Sequence, residues 1–185
     1  MLLIFTPQTS TRLQYICKLI FEEICGISYS LTIDAGGFNS YAGPKINYST
    51  AFFENAYQIK PHTLLVESGI IAQDIVCKNE TGYPTFFTSE NADHPFDIFA
   101  AAFYLISRYE EYLPHTKDMY GRYAHENSLA FKEGFLNIPV VNIWLQGLQE
   151  ELQKHFTVLA FRRKEFKFLP SYDIDIAWSY KEKGI

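Results

Sequence analysis

Two groups of charged side chains in this sequence are spaced as chemistry would require. Ser171-Tyr172-Asp173-Ile174-Asp175 sets two carboxylates two residues apart. In an extended strand both point to one face, about 7 Å apart. They then repel by roughly 2 kcal/mol at an effective dielectric of about 20. A cation, a basic side chain or open water has to offset that. One solution is a divalent metal held by one carboxylate, with the other acting as general base. Two solvated aspartates at a strand end are the plainer alternative. The second group is Arg108, Glu110 and Glu111. Glu110 falls on the apolar side of a helical pattern, beside Ile106 and Leu113. An unpaired buried carboxylate is costly and takes up a proton instead. Either Glu110 escapes to solvent or pairs with arginine near a helix end, or it is a structural or site carboxylate.

The elements that must position these groups follow from periodicity. Residues 94–113 read as one long helix. Pro95 suits its first turn, Asp93 and Asp97 favour its positive end, and Pro114 stops it. Phe99, Phe103, Ile106 and Leu113 share one side, widened by Ile98, Ala102, Leu105, Tyr109 and Tyr112. A helix apolar around most of its girth is covered on several sides, so this is the expected central helix. Leu2 to Thr6 reads as a strand. Residues 10–25 form an amphipathic helix ended by Gly26, and Ser28 to Ile33 alternates as a strand. Strand, helix, strand with short joins predicts a right-handed βαβ unit. Ala35 to Pro44 is turn chemistry and matches neither a G-x-G-x-x-G fingerprint nor a P-loop. Residues 45–48, 57–59 and 63–67 read as further strands, added antiparallel. Residues 78–91 look like a surface excursion, and 115–134 an irregular loop of a length that is often functional. Pro139 opens a second amphipathic helix to His155, with Trp144 on its apolar stripe. The fold class expected is α/β: a mixed β-sheet with a βαβ opening, covered by about three helices, the central one at 94–113.

Composition narrows the function classes. The chain has 185 residues and is 48% hydrophobic, enough for one real core. Net charge is −5 with no basic run, which argues against a nucleic-acid surface or an anionic membrane as partner. No stretch has the length of a membrane-spanning helix, and the N-terminus lacks the features of a signal peptide. Cys17, Cys25 and Cys77 are odd in number and sit in apolar or mixed surroundings, as reduced thiols do. A cytoplasmic location is expected.

From His94 onward the chain resembles polysaccharide deacetylase-like proteins of the kind found in Bacteroidetes. The matching pieces are residues 95–101, Ser107-Arg108-Tyr109-Glu110-Glu111-Tyr112-Leu113-Pro114, Gly134-Phe135-Leu136, 139–144, and Tyr172-Asp173-Ile174-Asp175 with Ala177, Tyr180, Lys181 and Gly184. Gly43-Pro44-Lys45-Ile46-Asn47-Tyr48 extends the resemblance to the opening half. It implies an accessory N-terminal α/β domain over 1–165 and, over 166–185, the first strand of a truncated NodB-type deacetylase region. In that region the opening motif ends Thr-Phe-Asp-Asp-Gly, the first Asp being general base and the second a metal ligand. Asp173 matches the base. Ile174 stands where the metal-binding Asp belongs, and Asp175 sits one residue late. The two closely spaced metal-binding histidines of such enzymes have no counterpart: no two of His62, His94, His115, His125 and His155 are three to five apart. A zinc-like divalent metal is therefore expected only in a complete catalytic domain, and this chain by itself should be inactive.

Two readings of function follow. In the first, the chain is the accessory domain of a protein that hydrolyses N-acetyl groups on a glycan, and its partner is its own missing catalytic domain. In the second, it is a stand-alone carbohydrate-binding or protein-interaction module. Its 17% aromatic content would suit stacking on a glycan, and exposed apolar surface around Trp178 would drive a homodimer. A nuclease-like enzyme using Glu67 finds no matching acidic and lysine pair.

Overall fold

The computed structural model describes residues 1–79, 82–162 and 165–173. It is an α/β fold. The strands are β1 (Leu2–Phe5), β2 (Tyr29–Thr32), β3 (Lys45–Tyr48) and β4 (Tyr57–Ile59). The helices are α1 (Thr11–Cys17), continued by a wide π-type turn over Lys18–Ile24, α2 (Ala35–Ser40), α3 (Ile98–Ile106), α4 (Leu129–Lys132) and α5 (Val140–His155).

The βαβ opening is present. Ser10 caps α1 by accepting from the Leu13 N–H at 3.0 Å, and β1 pairs in parallel with β2, Ile4 opposite Leu31. The sheet order is β2-β1-β3-β4. Every pairing is parallel, with Ile4 opposite Ile46 and Ile46 opposite Tyr57. The antiparallel additions expected from the short joins are thus corrected. The segment between β3 and β4 crosses the far face of the sheet, where Phe53 packs edge-on against Phe5 and Phe38, and so returns the chain in the same direction.

Leu2, Ile4, Ile46, Tyr48, Tyr57 and Ile59 share the other face and meet α1, α3 and α5 in one buried core. α3 lies at its centre, with Ile98, Phe99, Ala100, Ala101 and Ala102 wholly buried. α5 buries Trp144, Leu145, Leu148 and Leu152 as its stripe requires.

Three further expectations are corrected. Residues 35–40 form a helix rather than a turn, because Asp34 accepts from the Gly36 N–H and caps it. Residues 63–65 form a single 3₁₀ turn rather than a strand, with His62 Nδ1 accepting from the Leu64 N–H. The helix expected over 94–113 is shorter at both ends. Residues before Asp97 pair with the segment near Thr88. Asp97 then takes the Phe99 and Ala100 N–H groups, each at 3.0 Å, and starts α3 at Ile98. At the other end Arg108 adopts φ +53° and residues 109–112 turn away as a 3₁₀ segment. The excursion at 78–91 is also less superficial than its polarity suggests. Phe86 is wholly buried against Trp144, whose indole N–H donates to the Pro84 carbonyl at 3.1 Å.

Candidate functional site

The break in the central helix makes a cavity of about 350 Å³ beside it, within the range of small-ligand sites. Tyr109 helps to hold the chain in that turn. Its hydroxyl accepts from the Ile71 N–H at 2.8 Å and donates to the Ile71 carbonyl at 3.1 Å. Arg108, at the corner, lies in the left-handed region that favours glycine. The cavity wall is aliphatic: Leu105 and Ile106 from the end of α3, Leu136 and Ile138 from the loop after α4, and Val140 and Val141 from the start of α5.

Polar groups converge on one end. Arg108, Glu110, Glu111 and Tyr123 all line the cavity. Arg108 forms an ion pair with Glu111, its side chain 71% exposed. Glu110 is half-buried and reaches across to α4, where its Oε1 accepts from the Leu129 N–H at 2.7 Å. Burial raises the pKa of Glu110 above the usual carboxylate value; the Leu129 hydrogen bond, Lys132 and a hydrogen bond from Tyr104 only partly oppose that. Glu110 is thus neither fully in solvent nor paired with Arg108; it ties the turn after α3 to the start of α4. The Tyr123 hydroxyl is buried without a hydrogen-bond partner. Burial, Glu110 and Glu111 together push it up to about 12.

Sequence spacing singles out Arg108, Glu110 and Glu111, and the structure brings all three to this cavity. It does not single out Tyr123 or the 136–141 wall. The only signal there was the Gly121-Arg122-Tyr123 turn inside an over-long loop.

Asp173 is not among the residues that line this cavity. Asp173 is exposed in a segment without regular secondary structure, and Asp175 and Trp178 lie outside the described residues. Among the described residues no cluster of three His, Cys, Asp or Glu side chains is arranged to hold a metal ion. None of the described helices is long and apolar enough to cross a membrane.

A second polar centre lies at the carboxyl edge of the sheet, where parallel α/β folds usually take ligands. Here it is closed by the protein's own groups. Asp97 Oδ2 accepts from the Tyr48 hydroxyl and from the His62 N–H, both at 2.6 Å. That ties β3, the end of β4 and α3 together.

No curated protein and no solved structure matches the chain. A profile described as a family of unknown function, DUF7033, matches residues 2–157. That span takes in every strand and helix described above, and the chain belongs to that family.

Proposed function

We propose that the chain is the accessory N-terminal α/β domain of a polysaccharide deacetylase-like protein, with residues from 166 onward opening the catalytic unit. One observation carries this reading. Phe166, Phe168, Leu169 and Tyr172 are 92%, 79%, 83% and 83% exposed. Exposed apolar side chains of that size call for a partner surface, and this segment, which has no regular secondary structure in this chain, would form a strand against the catalytic unit. The family match stopping at residue 157 supports the same division. Metal-dependent hydrolysis of N-acetyl groups on a glycan is then the work of the whole cytoplasmic protein. Asp173 is its candidate general base and Asp175 a candidate ligand. The domain described here contributes packing against the catalytic unit or a hold on substrate.

The test compares this chain with the longer product of its reading frame, each supplied with zinc and an N-acetylglucosamine oligomer. Acetate release by the longer protein, lost in Asp173→Asn and absent from this chain alone, is the expected result. Acetate released by this chain alone would overturn the division of labour. A longer frame that encodes no deacetylase region would overturn the assignment itself.

The cavity beside Arg108 also favours a second reading, a stand-alone module that binds a carbohydrate or another protein. A concentration-dependent dimer formed through the exposed 166–172 segment would favour that reading over the first.

A further inference from the structure

We propose that the cavity between α3, α4 and α5 binds a primary ammonium group carried on a short aliphatic stem. The inference concerns the described domain alone and stands apart from the deacetylase reading. The wall formed by Leu105, Ile106, Leu136, Ile138, Val140 and Val141 offers an apolar stem an apolar surface, part of it now exposed to water. The polar end then selects the head group.

Two carboxylates and one guanidinium line that end. The guanidinium is committed to Glu111 and lies largely in solvent. An anion entering the cavity would therefore face Glu110 and Glu111, and the other cation acting on Glu110, Lys132, is not part of the lining and lies exposed on α4. Glu110 is held by a neutral donor, the Leu129 N–H, which leaves its charge uncancelled and further lone pairs open. A positive head group beside it would supply what that donor does not. The Tyr123 hydroxyl, buried and unpartnered, is an acceptor for a further N–H of the same head. The tyrosine ring adds an aromatic face of the kind that attracts ammonium. An alcohol of equal length could form the same hydrogen bonds but would leave the charge uncompensated.

The charged and titratable groups facing Glu110 are Tyr104 from α3, Arg108 and Glu111 from the turn after it, Tyr123 from the loop, and Lys132 from α4. Lys132 is the only basic group among them besides Arg108, and it lies on the exposed side of α4. Binding of an amine should weaken as pH falls and Glu110 takes up its proton.

The experiment titrates n-hexylamine, n-hexanol and hexanoate into the whole isotope-labelled chain, followed by amide chemical shifts. The expected result is perturbation of residues 105–142, with the amine bound at least about tenfold more tightly than either isostere. Glu110→Gln should remove that preference, bringing the amine's affinity down to that of hexanol. Tyr123→Phe should weaken the amine roughly threefold without moving the melting temperature. A capped lysine amide identifies the source of the head group. Affinity equal to hexylamine points to a lysine side chain of a partner, and binding of hexylamine alone points to a free amine. Equal affinities for the three probes, tighter hexanoate, no binding of any, or amine binding indifferent to both variants would overturn the proposal.

Discussion

The Tyr48 hydroxyl donates a 2.6 Å hydrogen bond to Asp97, and both side chains are almost wholly buried. Asp97 accepts three backbone N–H groups as well, from His62, Phe99 and Ala100. Burial nonetheless outweighs these bonds and holds its pKa up at about 6. Each donor lowers the cost of the charge without removing it.

The pH dependence of stability follows in sign from that shift. A carboxyl with a pKa near 6 when folded and about 3.9 when unfolded binds more protons in the folded state between those values. Its contribution is complete below about pH 4 and is lost as pH rises through 6, by about 3 kcal/mol in all. Urea unfolding of the wild type and of Asp97→Asn across pH 4–8 should show this component in the wild type alone. The variant should also be less stable by roughly 2–4 kcal/mol at low pH, because an amide NH₂ faces the Tyr48 and His62 donors. A pH-independent difference between the two would contradict this account.

Glu110 separates charge from hydrogen bonding. Glu110→Gln keeps an acceptor for the Leu129 N–H and should change stability by less than about 1 kcal/mol. Glu110→Ala strands that N–H at the start of α4 and should cost about 1–3 kcal/mol. Thermal unfolding distinguishes them, and equal losses in both variants would mean that the charge matters more than the α4 cap.

The third centre joins α5 to β4. Glu151 accepts from Tyr57 and lies 2.8 Å from His94 Nδ1. Burial works to raise the pKa of Glu151, but the His94 and Tyr57 hydrogen bonds and the nearby Lys154 outweigh it, and the net shift is downward. A depressed carboxylate stabilises the fold above its unfolded pKa, and that contribution is lost as pH falls through the folded value. Glu151→Gln should therefore unfold more easily at pH 7, by about 1 kcal/mol given its partial exposure. It should converge with the wild type in strong acid. A variant gap that widens below pH 4 would show the assignment to be wrong.

Sequence pattern exposes those parts of the fold that local forces decide. Alternation located β2, and the amphipathic stripe located α5 and its buried Trp144; Arg108, Glu110 and Glu111 stood out by type and spacing, but the cavity they line left no sign in the sequence. What escaped was decided at long range. The end of α3 depends on Tyr109 meeting Ile71 and Glu110 meeting Leu129. The burial of Phe86 depends on α5. The parallel setting of β4 depends on Phe53 finding Phe5 and Phe38 across the sheet. None of these pairings leaves a periodic trace.

The left-handed backbone at Arg108 also divides two quantities that usually move together. A bulky side chain in that region costs on the order of 1 kcal/mol relative to glycine. Arg108→Gly should melt higher than the wild type if the lost Glu111 ion pair is worth as little as exposed pairs usually are. The corner of the cavity would then be a place where the sequence holds a guanidinium against the preference of its own backbone. A gain in stability there, measured beside a change in ligand affinity, would put a number on what that cation does for the site.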